Sequence, residues 1–221
     1  MPRNRLGVKA LNKESQNEQV RTLTALLKGR LSKKRFMHSV NVARAAFALA
    51  ERWGADPQRA YLSGLLHDCC KELPFEEQKL LMQQGPFLVS DTEWLCKPVW
   101  HGIAAASYMH TELGIEDAEV LSAARWHTVG HANMTKLEEI VYMADLISAD
   151  RTYRDVDRFR KMAQNDLEKA LLAAFEYAID SVMKKEAPLP VSTVEAYNYY
   201  LARIAARAEE KNRSADRRRN P

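Results

Sequence analysis

Residues 33–73 read KKRFMHSVNVARAAFALAERWGADPQRAYLSGLLHDCCKEL, and the punctuation of this stretch decides the fold class. Helix-favouring residues run from Lys33 to Trp53 and stop at Gly54. Asp56-Pro57 then offers a capping side chain and a proline suited to a first helical position, so a second helix is expected over about 56–68. His38, Val42, Ala45 and Leu49 recur at helical spacing and mark a core-facing stripe. The second helix ends in the apolar Leu62-Ser63-Gly64-Leu65-Leu66 followed by His67-Asp68, and Gly64 lets a neighbouring helix or a ligand come close. Pro74 prevents the helix from continuing.

Outward from this pair the chain keeps the same character. Helices are expected over about 17–28, 75–84, 98–112, 116–128, 134–149, 159–185 and 193–210, with a single capped turn at Ser90 or Asp91. Thr135 and Ser192 are the candidate caps of two of them. Alternating β-branched runs of strand length are missing. The fold class is therefore all-α: a helical bundle over 33–187, preceded by a basic extension with one helix (1–32). An additional C-terminal helix (188–210) and a basic flexible tail (211–221) follow. The C-terminal helix is expected to pack back through Val194, Tyr197, Leu201 and Ile204.

The 221 residues, 46% hydrophobic and 28% charged, are enough for one domain with a real core. No apolar run approaches the ~20 residues that cross a bilayer, and the basic opening MPRNRLGVKALNKE has no apolar signal-peptide region, so a cytoplasmic protein is expected. The three cysteines, Cys69, Cys70 and Cys96, form neither a CxxC pair nor a disulfide framework. Basic residues cluster at the two ends: ten Lys and Arg against Glu14 and Glu18 in residues 1–35, and six against three acids in 207–221. The body between is net acidic, which argues against a uniform nucleic-acid footprint, and no specific nucleic-acid partner is expected.

Four helices each place a ligand-competent side chain on a face expected to be buried: His38, then His67 with Asp68, then His127 after Val120/Ala123/Ala124, then Asp145 after Leu137/Val141. One histidine on an apolar face is commonly a hydrogen-bonded core residue. A carboxylate there is costly unless paired or bound to a metal. Imidazoles with carboxylates make a hard-to-borderline donor set suited to Fe, Mn, Zn or Co.

The order His38, His67-Asp68, Asp145 resembles the H…HD…D pattern of the HD-domain metal-dependent phosphohydrolases. The likeness is closer to one branch, the symmetrical bis(5′-nucleosyl)-tetraphosphatases. Arg35-x-x-His38-Ser39-x-x-Val42-Ala43 resembles that branch's first motif, and Leu65-Leu66-His67-Asp68-Cys69-Cys70-Lys71-Glu72-Leu73 its HD-x-x-K motif. Trp100-His101-Gly102, His127-Thr128-Val129-Gly130 and Tyr142-Met143-Ala144-Asp145 followed by Arg151 resemble the remaining three. The likeness covers about residues 33–185.

The resemblance implies an HD-domain fold, with His38, His67, Asp68 and Asp145 as ligands of a divalent metal. Iron (Fe2+ or Fe3+) is the first expectation, Mn2+ or Co2+ the alternatives, with one or two ions. It implies symmetrical hydrolysis of diadenosine tetraphosphate, and of related dinucleoside polyphosphates, to ADP by metal-activated water, in a possible homodimer. Asp68, Lys71 and His101 are the catalytic candidates. Arg35, His38, Lys71, His101, His127, Thr128 and Arg151 are the substrate-binding ones. His101 and His127 either complete a second metal site or touch phosphate. Lys71, three residues past Asp68, and Arg151, six past Asp145, suit phosphate oxygens. The competing readings are another nucleotide phosphohydrolase of the same family, an RNA- or ribosome-associated helical adaptor using the basic ends, and a di-iron oxygenase.

Overall fold

Ser32 and Gly54 fix the first long helix of the body. The Ser32 hydroxyl accepts from the Arg35 amide at 3.3 Å, and Gly54 takes the left-handed conformation (φ 74°) that closes the helix on Ala50, giving α2 over Lys33–Trp53. Asp56 caps the next helix through the Gln58 and Arg59 amides, giving α3 over Pro57–Leu66. These bounds come from a computed structural model that describes residues 13–219, with side chains described over 18–213.

The other helices are α1 (Lys13–Arg30), α4 (Phe75–Gln84), α5 (Asp91–Leu95), α6 (Trp100–Thr111), α7 (Ala118–Trp126), α8 (Lys136–Ile147), α9 (Val156–Asn165), α10 (Leu167–Met183) and α11 (Val191–Arg219), with a 3₁₀ turn at Lys97–Val99. No strand occurs among the described residues. None of the described helices is long and apolar enough to cross a membrane.

The bundle is built around two helices buried on nearly every side. Trp100 to Met109 of α6 and Leu137 to Ala144 of α8 are buried throughout. α2 packs on α3 and α8, α7 lies between α6 and α8, and α4 covers α6. The α2–α3 contact is the tightest: a Cβ added at Gly64 would meet the Ala43 Cα at 2.9 Å. Only glycine lets the backbones approach this closely, and that approach brings His38 on α2 level with the end of α3.

Four expectations are corrected. The stretch 159–185 is two helices, because Asp166 adopts an extended conformation (φ −156°, ψ 99°) and turns its carboxylate to the Lys169 amide at 3.2 Å. Arg207 of α11 pairs with the same carboxylate at 2.6 Å. The last helix starts at Val191, one residue ahead of Ser192, so Ser192 is no cap, and its hydroxyl is buried without a partner. Its inner face is Thr193, Ala196 and Tyr200, while Val194 and Leu201 are 36% and 45% exposed. Polar anchors set this rotation: the Tyr200 ring stacks on Phe175, its hydroxyl donates to Glu139 at 2.7 Å, and Arg203 pairs with Glu168. The helix over 56–68 also stops two residues early, which leaves His67 and Asp68 in a turn.

The α2–α3 approach predicts that Gly64→Ala destabilises the chain by about 1–3 kcal/mol, read from urea unfolding. Asp117 gives a pH test. It caps α7 through the Glu119 and Val120 amides and pairs with Arg59 at 2.8 Å. Burial would raise its carboxyl, but Arg59 and the two amides hold it below the ordinary value. A depressed folded-state value means stability that is present above the unfolded value and lost as pH falls through the folded one. Asp117→Asn keeps a capping side chain, so it should cost up to about 1 kcal/mol at neutral pH. That difference should vanish in strong acid.

Candidate functional site

Five elements deliver the candidate residues to one place. α2 carries His38, the turn after α3 carries His67 and Asp68, α6 carries His101 in its first turn, the end of α7 carries His127, and the last turn of α8 carries Asp145. All are buried except Asp145, whose side chain is 20% exposed.

Asp68 is the hub. Its Oδ2 lies 3.4 Å from His67 Nε2, 3.7 Å from His38 Nε2 and 2.7 Å from Arg35 Nη1. Its Oδ1 lies 3.2 Å from His101 Nε2 and 3.6 Å from His127 Nε2. Asp145 Oδ1 stands 2.9 Å from His38 Nε2 and 3.9 Å from His67 Nε2, and is paired with Arg151. Burial alone would raise the Asp68 carboxyl, but the adjacent His67 charge and the close approach of His101 and His127 hold it well below the usual range. Burial likewise opposes ionisation of Asp145, and His38, His67 and Arg151 overcome it. Both carboxylates stay charged inside the fold.

The outer ring nitrogens decide what the inner ones can do. His67 Nδ1 donates to the Gly64 carbonyl at 2.7 Å, and His127 Nδ1 donates to the Ala124 carbonyl at 2.7 Å. A carbonyl only accepts, so each Nδ1 carries a proton and each ring turns its Nε2 inward. His38 Nδ1 is tied in the same way to Asp150 Oδ2 at 2.8 Å. The Nε2 atoms of His38 and His67 are fully buried and make no directed hydrogen bond, although carboxylate oxygens are near. Buried nitrogens left without a partner are costly. A divalent cation is the partner that this donor set fits. His38, His67 and Asp145 form one group with ligand atoms close enough to share an ion, and His67, Asp68 and His127 form another.

Cations stand beside the hub. Lys71 Nζ lies 3.2 Å from both ring nitrogens of His101, and burial lowers its pKa. Burial also pushes His101 down to about 4, so its imidazole is neutral at pH 7. The ionised Asp68 only accepts, which puts the His101 proton on Nε2, facing Asp68 and His127, and leaves Nδ1 to accept from Lys71. Arg35 and Arg151 are partly exposed, at 28% and 37%, and hold Asp68 and Asp145 from the solvent side.

Thr128 is the candidate that the structure leaves apart. Its hydroxyl is buried and hydrogen-bonds to no side chain of the cluster. Gly130 takes φ 62°, and its missing Cβ leaves room for Phe175. Cys69 and Cys70 are buried with their sulfurs 3.9 Å apart, and that contact together with burial pushes the Cys69 thiol up, so the pair behaves as small apolar residues. His110 is exposed, and His131 pairs with Glu138 at 3.1 Å. Sequence reasoning missed Asp150, Asn41 and Arg160. A single acid in the Ser148-Ala149-Asp150-Arg151 turn carries no periodic signal, and its partner His38 lies 112 positions away.

Comparison with known proteins points the same way. Residues 35–150 match the family model described as the HD domain. A symmetrical bis(5′-nucleosyl)-tetraphosphatase of Bacillus subtilis is 34% identical over 180 residues, covering 80% of this chain and 95% of that protein. One from Halalkalibacterium halodurans is 34% identical over 176 residues, covering 80% and 94%. Among solved structures, an HD-superfamily hydrolase from Clostridium acetobutylicum, described as involved in NAD metabolism, superposes with a TM-score of 0.80 at 36% identity. That match covers 83% of this chain and 97% of that one.

The donor set predicts that the chain purified with Mn2+ retains bound metal by elemental analysis. His67→Ala and Asp145→Ala should each lose most of it, and His110→Ala, on an exposed residue, should keep it.

Proposed function

The chain belongs to the HD-domain family, and from that premise we propose that it hydrolyses diadenosine tetraphosphate symmetrically, in a metal-dependent reaction that yields two ADP. The observation that carries this reading is the pair of buried, unpartnered Nε2 atoms of His38 and His67 set against the ionised Asp68 and Asp145. The relatives named for this activity, which match over most of their own length, support the substrate.

In this reading residues 33–187 form the catalytic body. His38, His67, Asp68 and Asp145 hold the first ion. His127, grouped with His67 and Asp68, supplies donors for a second, with His101 beside it. The imidazole–carboxylate donor set suits a hard-to-borderline divalent ion, and among these the family resemblance favours iron, with Mn2+ and Co2+ as substitutes. When bound, the metal lowers the pKa of water and polarises a phosphoryl oxygen.

The protein's own groups do the rest. A four-phosphate chain carries several negative charges, and Arg35, Lys71 and Arg151 gather positive charge for it in a body that is otherwise net acidic. The ammonium of Lys71 has three donors. One is spent on His101 Nδ1, leaving two for phosphoryl oxygens. His101 holds its proton at Nε2 toward Asp68 Oδ1, which keeps the hub carboxylate ionised and oriented. The guanidinium fork of Arg151 suits a pair of phosphate oxygens. Water adds across the central P–O–P bridge, and each half departs as a nucleoside diphosphate whose charge these cations neutralise.

Anion-exchange analysis of diadenosine tetraphosphate incubated with the metal-loaded chain should show ADP alone, and nothing in the presence of a chelator. ATP with AMP would refute symmetrical cleavage, and no product with Fe2+, Mn2+ or Co2+ would refute the activity. Lys71→Ala should lower kcat about 100-fold while metal content is unchanged.

A further inference from the structure

The turn after α8 places two successive side chains at the rim of the site. Arg151 pairs with Asp145, and Asp150 accepts from His38 Nδ1 at 2.8 Å. Asn41, three residues on from His38 and on the same side of α2, donates to the other Asp150 oxygen at 3.2 Å. One helix face thus grips both oxygens of the Asp150 carboxylate and fixes its orientation. An ionised carboxylate accepts and does not donate, so this contact places a proton on His38 Nδ1 and turns Nε2 toward Asp68 and Asp145.

The turn itself is held from outside the site. Arg160 of α9 donates through Nε to the Ile147 carbonyl at 3.0 Å, and through Nη2 to the carbonyls of Ser148 at 2.8 Å and Arg151 at 3.0 Å. A helix end leaves its last carbonyls unpaired, and here one guanidinium takes up three carbonyls around that end. The fork therefore fixes where residues 148–151 run, and so where Asp150 and Arg151 point. Its remaining contact, Nη1 to Asp157 Oδ1 at 2.9 Å, is an exposed pair.

We propose that Asp150 is a positioning residue of the metal centre, setting the tautomer and orientation of His38, and that Arg160 acts through the turn to keep Asp150 in place. The inference rests on His38 serving as a metal ligand, as assigned above. It extends the working site to α9, a helix that contributes no ligand.

The test uses the full chain stripped of metal. Titration with Mn2+ followed by calorimetry should show affinity about 10–100-fold weaker for Asp150→Ala. Asp150→Asn should recover part of the loss, because its amide oxygen still accepts from Nδ1. Arg160→Ala should weaken Mn2+ binding, whereas Asp157→Ala, which removes only the exposed pair, should not. Nitrogen-15 spectra of the histidine rings give a readout that needs neither ion nor substrate. His38 should be protonated at Nδ1 in the parent chain and a mixture of tautomers in Asp150→Ala. Unchanged Mn2+ affinity in Asp150→Ala, or the same His38 tautomer in both chains, overturns the proposal. Because the ring spectra are independent of turnover, its failure is separable from failure of the hydrolase assignment.

Discussion

Asp68 is a carboxylate inside a protein core, and an ion there must be met by donors or opposite charge on every side. Four imidazoles and one guanidinium meet it, from α2, the α3 turn, α6 and the end of α7. The packing of those helices answers to this requirement. α2 and α3 close to backbone contact at Gly64, which levels His38 with His67. α6 and α7 meet closely at Gly102, where an added Cβ would stand 3.1 Å from the Arg125 carbonyl and 3.4 Å from the His127 ring. Two glycines thus set the distances at which imidazoles can surround one carboxylate.

The same arrangement explains why the site is built for a cation. In His38, His67 and His127 an inward Nε2 is matched by an outward Nδ1 that donates to a carboxylate or a carbonyl, so these three rings turn Nε2 toward Asp68 and Asp145. With Asp68 and Asp145 ionised, the interior carries concentrated negative charge. Burial draws the His67 imidazole down, but Asp68 and Asp145 together raise it above its ordinary value, which shows that this space favours positive charge. Arg35 and Arg151 supply some of it from the rim, where they are also placed to meet a polyanion.

Much of this was legible in the sequence because it is local. Gly54, Asp56-Pro57 and Thr135 act through neighbours a few residues away, and the helices they bound lie where their chemistry puts them. His38, His127 and Asp145 stood out because each continues an apolar stripe with a side chain that an apolar face does not tolerate for free. What escaped reading depends on contacts between distant segments. Asp166 lies between helix formers, and its break is fixed by its own cap and by Arg207, 41 residues on. The rotation of α11 follows from Tyr200 finding Glu139, 61 positions away. Asp150 and Arg160 reach the site only through the turn after α8, and no spacing in the sequence announces that.

The central claim is that the imidazoles and carboxylates gathered around Asp68 hold a metal ion. Anomalous diffraction from crystals of the Mn2+-loaded chain tests it most directly. A peak within bonding distance of His38 Nε2, His67 Nε2, Asp68 and Asp145 is the predicted result. A fully loaded chain whose anomalous density lies away from these four side chains would contradict it.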